Sequence, residues 1–267
     1  MLNIEKEYIK EQGKSMYEKR TSANTYKGEN FLFIGDDGLF VYSPQKDSLK
    51  IISNKNYDFS SIVEYNKYNN TLVLTDYYKL YIYDLNTKKI RKIDLNLIDQ
   101  IIDLCLSPDG KHIVLGRNYN SIVFVDTKNY KVEKTLWDMG TTYTMKYSPD
   151  GKILACGSAD GYIYIIDANK KSIIKKFKAH NSVIYSVDFS ADGTRLLTSS
   201  GESTELQTID NTVKVWDMRT YKEILRINLE RVTDKNDMIS NGASFTQDGK
   251  FILTYPVIEK PIEDFGL

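Results

Sequence analysis

The sequence predicts an all-β protein built from four-stranded antiparallel units that repeat about every 41 residues along a chain of 267. Three observations support this: a turn marker of the type SPDGK, a second marker ending in Asp, and four short apolar runs per unit. Repeats of this length with four strands each are typical of the blades of a β-propeller. We therefore expect a propeller of about six blades, or a truncated seven-bladed ring.

The two markers recur with a shared period. SPDGK occurs at 107–111 and 148–152, SADGT at 190–194 and TQDGK at 246–250, so the Asp residues lie 41, 42 and 56 positions apart. The second marker closes a strand, and its Asp residues lie 42, 41 and 50 positions apart: Asp84, Asp126, Asp167 and Asp217. Ser43, at the end of LFVYS, falls in the same phase. Two independent markers with one period indicate a true structural repeat.

Each unit contains four runs of about four to six residues rich in Val, Ile, Tyr and Leu, separated by polar turns, which predicts four strands. Five units cover about 22–55, 58–97, 100–137, 141–180 and 182–229, and a sixth begins at GASFTQDGK with two strands. We predict an N-terminal segment at 1–21, a propeller at 22–257 and a C-terminal tail at 258–267. A sixth unit with only two strands would leave the ring open. An open ring exposes long strand edges, which invite aggregation, so the sequence leaves unexplained how the ring closes.

Residues 3–19 allow two interpretations. Glu, Lys, Gln and Met favour a short N-terminal helix, and Ile4, Tyr8, Ile9, Met16 and Tyr17 fall near one helical face. A hairpin about Gly13 would instead supply the missing strands and close the ring. We favour the helix, which implies truncation or a partner.

The unit Ala179–Asp217 contains AHNSVIYSVDFSADGTRLLTSS and ends in IDNTVKVWD. It resembles the WD-repeat family. The resemblance implies that His180, Ser200, Asp210 and Trp216 form a buried hydrogen-bonded tetrad, which is structural and not catalytic. The other units replace the Trp by Tyr83, Val125 or Ile166, so their networks should be incomplete.

A second Trp-Asp pair, Trp137-Asp138, is out of phase with the repeat. We expect Trp137 to lie in the loop before the next blade and to pack on a neighbouring blade. If it is exposed instead, it would be a good anchor for a partner.

Composition excludes several classes of function. The formal net charge is zero and the pI is about 6.8, which argues against a general affinity for nucleic acid or an anionic membrane. There is neither a transmembrane run nor a secretory signal, so we expect a cytoplasmic protein. Cys105 and Cys156 sit in apolar runs and are expected to be buried free thiols.

Nothing in the sequence indicates catalysis, and we expect no metal and no cofactor. Two His and two Cys cannot build a separate zinc site, and neither a phosphate-binding loop nor a nucleophile elbow is present. The phased carboxylates are expected to cap turns. The Lys clusters at 88–92 and 170–178 fall on or just before fourth strands, where Lys blocks edge-to-edge pairing.

Two departures from the period allow two interpretations, a tolerated flexible surface insertion or an elaborated, mildly acidic recognition surface. The stretches Gly201–Ile209 and Glu230–Asn241 lengthen loops that emerge on the same face of neighbouring blades. The resemblance implies a non-catalytic scaffold or adaptor that docks other proteins or peptides there, in a multiprotein complex. The candidate contacts share this loop face: Asp76, Tyr77, Asn118, Tyr119, Trp137, Met139, Asn181, Glu202 and Glu205. The alternatives are a propeller enzyme or cofactor binder using the central channel, or a partial fragment of a larger WD-repeat protein.

Overall fold

The computed structural model describes residues 24–26, 30–35, 38–43, 48–53, 63–76, 78–203, 208–229, 239–246 and 248–258. All regular structure in these ranges is β-strand, and no helix within them is long and apolar enough to cross a membrane. The predicted N-terminal segment and the tail after Ile258 lie outside the described residues. The propeller bounds of 22–257 therefore stay a prediction.

The strands fall into two units, of which the first lies within residues 1–97. Its first sheet has the order β1 (Asn24–Tyr26), β2 (Asn30–Gly35), β3 (Gly38–Ser43) and β4 (Ser48–Ser53). Its second sheet has the order β5 (Val63–Asn66), β6 (Thr71–Thr75), β7 (Leu80–Asp84) and β8 (Lys89–Ile93). Both sheets are antiparallel throughout, so each is the four-stranded blade that the repeat predicts.

The second unit lies within residues 98–259 and contains three further four-stranded blades. Blade three consists of β9 (Ile101–Leu106), β10 (His112–Arg117), β11 (Ser121–Asp126) and β12 (Val132–Trp137). Blade four consists of β13 (Thr142–Tyr147), β14 (Ile153–Ser158), β15 (Tyr162–Asp167) and β16 (Ser172–Lys178).

Blade five carries the first predicted insertion. It consists of β17 (Ile184–Phe189), β18 (Arg195–Ser200), β21 (Thr212–Asp217) and β22 (Lys222–Asn228). A small hairpin, β19 (Glu202–Ser203) with β20 (Thr208–Ile209), lies between its second and third strands, where the lengthened loop was predicted. The sixth sheet pairs β23 (Ile239–Phe245) with β24 (Ile252–Ile258), and β23 begins three residues before the predicted Gly242.

Burial follows the radial position of each strand within the second unit. The first strands of successive blades pack side by side, β9 on β13, β13 on β17 and β17 on β23. The second and third strands are almost entirely buried, because neighbouring blades cover both faces of the sheet. The fourth strands are largely exposed, and β16 presents its Lys side chains at the outer edge as predicted.

The repeated acids are turn caps, which confirms the sequence interpretation. In the first marker, Ser107 Oγ donates to Asp109 Oδ1 at 2.6 Å, and the same oxygen accepts Lys111 N at 3.1 Å. Gly110 has a φ of 70°, which an L-residue adopts at a cost. In the second marker, Asp126 Oδ1 accepts the backbone N–H groups two and three residues on, at 2.8 and 2.9 Å. Fixed offsets of Ser, Asp and Gly are therefore what each turn requires.

Candidate functional site

A buried chain of hydrogen bonds crosses the loop end of blade five. The Trp216 indole Nε1–H donates to Thr198 Oγ1 at 2.9 Å, and Thr198 Oγ1 lies 2.8 Å from His180 Nε2. On the other side of the ring, His180 Nδ1 lies 3.3 Å from Asp210 Oδ1. All four side chains are buried. The chain thus joins the loop before the blade, its second strand, the inserted loop and its third strand.

The donors and acceptors fix the state of the imidazole. Thr198 has one hydroxyl hydrogen and already accepts the Trp216 N–H, so it donates to His180 Nε2. The imidazole proton therefore resides on Nδ1, which lies 3.2 Å from Thr212 Oγ1 and 3.3 Å from Asp210 Oδ1. Burial lowers the pKa of His180, against the opposing effect of Asp210, so the ring is held neutral.

Asp210 is the charged end of the chain. Burial by itself raises the pKa of this carboxyl, but hydrogen bonds outweigh it and hold the pKa well below its usual value. Oδ1 accepts from His180 and from the Thr212 hydroxyl, and Oδ2 accepts Asn181 N at 2.7 Å. These three donors occupy most of the acceptor sites of the carboxylate, so Asp210 holds two loops together.

The structure corrects one member of the predicted tetrad. The hydroxyl between His180 and Trp216 belongs to Thr198, whereas Ser200 Oγ donates to Val183 O at 2.7 Å. Strand register explains the difference. Trp216 pairs with Leu196, so its indole reaches the diagonal neighbour two residues along at Thr198, and Ser200 lies a further two residues away.

Exposed candidates gather at the loop end of blade three. Tyr119 is 68% exposed and Trp137 is 60% exposed, and Asn118 is also exposed. Trp137 ends β12 opposite Ser121, so Tyr119 and Trp137 flank the same end of the hairpin formed by β11 and β12. Asn118 ties this end to its neighbours, because its N donates to Gln100 O at 3.0 Å and its O accepts Thr141 Oγ1 at 2.8 Å.

Trp137 differs from the expectation of packing. It is the last residue of β12 and not a loop residue, and its ring lies 5.9 Å from the Arg117 guanidinium carbon. Arg117 is itself buried and forms an ion pair with the buried Asp99. The indole thus stands over a buried cation and presents its remaining surface to solvent.

The other candidates divide by their position. Met139 is fully buried in a core cluster with Phe124 and Tyr164, so its prediction as a partner contact is wrong. Its backbone N donates to Asn120 O at 2.9 Å. Asn181 is exposed at the top of blade five, and its N–H caps Asp210.

Asp76 is half-buried and caps its own turn, accepting Tyr78 N at 2.8 Å and Lys79 N at 2.7 Å. Tyr77, Glu205 and the side chain of Glu202 lie outside the described residues.

Sequence reasoning missed two features of this loop end. Ile98, 92% exposed, precedes β9 on the same side as Tyr119 and Trp137. Arg117 occupies the last position of the second strand, where Ser158 and Ser200 stand in the next blades. An Arg at the repeat position where the next two blades have Ser is a feature of the sequence that could have indicated the buried ion pair.

The blades, together with the network of Asp210, His180, Thr198 and Trp216, define a WD-repeat propeller. The family model described as Eukaryotic translation initiation factor eIF2A matches residues 60–223. This match covers more than half of the chain, and the chain belongs to that family.

A curated relative, WD repeat-containing protein 1 of Xenopus tropicalis, is 32% identical over 121 residues, or 44% of this chain and 19% of the relative. The chain therefore spans about a fifth of that relative's length.

Solved structures share the fold. A chain of the crystal structure of the mitotic checkpoint complex superposes with a TM-score of 0.69 at 13% identity, covering 90% of this chain and 84% of the other. The hydrazine synthase of Kuenenia stuttgartiensis superposes with a TM-score of 0.61 at 18% identity, covering 70% and 53%. At these identities the likeness concerns the fold alone.

Proposed function

We propose that this protein is a non-catalytic scaffold that binds another protein or a peptide through the loop end of blade three. The observation that carries the proposal is the exposure of two large aromatic side chains, Tyr119 and Trp137, at the same end of one blade. Trp and Tyr dominate the binding energy of protein interfaces because they bury a large area at little cost in conformational entropy.

The framework beneath these aromatics favours recognition over chemistry. The Asp99–Arg117 ion pair and the hydrogen bonds of Asn118 hold the loops in one arrangement before any partner binds. Such preorganisation lowers the entropic cost of association. The tetrad of blade five, with its titratable His180 and Asp210, is buried and its members are hydrogen-bonded to one another, which suits a structural role.

Affinity capture from the native cell extract with quantitative mass spectrometry tests the proposal. The chain with Tyr119→Ser and Trp137→Ser is compared with the unchanged chain and with Phe251→Ser, which removes an aromatic that is 66% exposed at the turn between β23 and β24. Because the family model bears the name of a translation initiation factor, ribosomal subunits and initiation factors are scored among the captured proteins.

We expect a defined set of proteins that binds the unchanged chain and Phe251→Ser and is lost by roughly tenfold or more with the double variant, since each hot-spot aromatic contributes about 2 kcal/mol. The purified partner should reproduce the loss in a direct binding assay. Equal capture by all three chains would refute the loop end of blade three as the binding surface.

A further inference from the structure

An open cleft of about 720 Å³ lies beside the tetrad, between the end of β16 and the outer face of blade five. Its charged lining consists of three cations, Lys178, Lys214 and Arg226, and two carboxylates, Asp210 and Glu223. At its rim Ile209 is 66% exposed. None of these groups belongs to the aromatic surface of blade three.

Lys214 is the unusual member of this lining. Only 8% of its side chain is exposed, and its ammonium donates to Ala179 O at 2.6 Å. Asp210 Oδ2 lies 4.0 Å away, which is beyond hydrogen-bond distance. An ammonium has three donors, and the described residues accept one of them at hydrogen-bond distance. Burial lowers the pKa of Lys214, against the opposing effect of Asp210.

The carboxylates of the cleft are committed elsewhere. Asp210 accepts from His180, Thr212 and the backbone of Asn181. Glu223 accepts two parallel hydrogen bonds from Arg226, at 2.8 and 2.9 Å.

The tetrad itself is complete without Lys214, because each of its links is made by other atoms. A buried cation that the network does not need costs folding free energy unless an acceptor reaches it.

We propose that the cleft binds an acidic peptide segment, with the carboxylate of an Asp or Glu side chain hydrogen-bonded to Lys214 and Arg226. An apolar residue beside that acid packs on Ile209. Three cations against two carboxylates, with His180 neutral, leave one positive charge, which a single carboxylate neutralises and a phosphate dianion would exceed. This site rests on the proposed scaffold function, since it gives the partner a second contact, on blade five, beyond the aromatic surface of blade three.

The test uses the full chain and a defined probe, a capped tetrapeptide in which Asp is followed by Leu. Its neutral counterpart carries Asn in place of Asp, and inorganic phosphate serves as a second probe. Binding is followed by amide chemical shifts of the isotope-labelled chain, with Lys214 and Asn181 as reporters. The variants are Lys214→Met, which keeps the length of the side chain, and Arg226→Gln, with Lys222→Met as the control on an exposed residue of the same strand.

We expect the acidic peptide to shift the reporters and the neutral peptide to leave them unchanged. Lys214→Met should weaken the acidic peptide by roughly tenfold, the loss of one charged hydrogen bond, while Lys222→Met has no effect. A melting temperature confirms that each variant is folded. If Lys214→Met does not fold, the loss of binding with Arg226→Gln, whose side chain is half exposed, decides the question.

Equal binding of both peptides, or an unchanged affinity with Lys214→Met, would overturn the proposal. Reporter shifts with phosphate but not with the peptide would overturn the assignment to a carboxylate. The capture experiment separates failure of this site from failure of the scaffold function. If partners are captured in a manner that depends on Tyr119 and Trp137 but the peptide does not bind the cleft, the scaffold function is supported and the cleft proposal is overturned.

Discussion

Thr198→Val tests the buried network at the link between its two rings. Valine has nearly the same shape as threonine, so the change removes the hydroxyl without opening a cavity. The Trp216 indole N–H then has no acceptor and His180 Nε2 has no donor, although both groups remain buried. Leaving a buried polar group unpaired costs about 1–3 kcal/mol, so with two such groups the free energy of unfolding should fall by about 2–6 kcal/mol.

Equilibrium unfolding in urea, followed by tryptophan fluorescence and circular dichroism, measures this loss. Ser200→Ala is the comparison, since that hydroxyl donates to Val183 O outside the chain of His180, Thr198 and Trp216, and the loss of this bond should cost about 1 kcal/mol. A double-mutant cycle with Trp216→Phe isolates the link, because Phe has no N–H for Thr198 to accept. The coupling free energy should be about 1 kcal/mol or more.

The reasoning would be refuted if Thr198→Val were no more destabilising than Ser200→Ala. It would also be refuted if Thr198→Val and Trp216→Phe were simply additive, since additivity means that the indole and the hydroxyl do not interact in the folded protein.

Three further outcomes follow from the same geometry. The folded pKa values of His180 and Asp210 both lie below their ordinary values of 6.5 and 3.8, so the unfolded chain takes up these protons first as the pH falls. The urea midpoint should therefore fall as the pH drops below about 6.5 and again below about 4. A midpoint that is flat from pH 7.5 to 5 contradicts a neutral buried His180. Gly161→Ala should cost more than about 3 kcal/mol by thermal or urea unfolding, because the new Cβ would meet the backbone of His180. Gly193→Ala has a similar positive φ but would place its Cβ in ordinary van der Waals contact with Pro149, so it should cost about 1–2 kcal/mol. Arg117→Met should lower the free energy of unfolding by about 3–5 kcal/mol, because its carboxylate partner stays buried and unpaired, and replacing that partner as well should recover part of the loss.

The blades were predictable because their determinants are local. A turn that needs a Ser hydroxyl, an Asp carboxylate and a Gly at fixed offsets must show those residues at fixed offsets, as Ser107, Asp109 and Gly110 do. Strand order within a blade follows from short connections between successive strands. Because these features depend on a few neighbouring residues, a single sequence is enough to predict them.

The details of the site depend on relations that sequence does not display. RLLTSS offers three successive hydroxyl residues, and only the pairing of Leu196 with Trp216 selects Thr198 for the network. Trp137 and Met139 are two residues apart, yet one is exposed and the other is buried, because the chain leaves its strand between them. Their order along the chain carries no information about which side chain turns toward the core.

The insertion of blade five enters and leaves the blade at a single point, because Asp210 N donates to Gly201 O at 3.1 Å across its base. The pairing of Glu202 with Ile209 continues this closure, and the strands on either side, β18 and β21, remain paired with each other up to Ser199 and Val213. The pairing of β18 with β21 therefore does not depend on the length of the inserted hairpin. A different peptide could be grafted there, or the segment shortened to a tight turn, while Asp210 keeps its place in the network. The blade framework and the length of this insertion are therefore set by different residues.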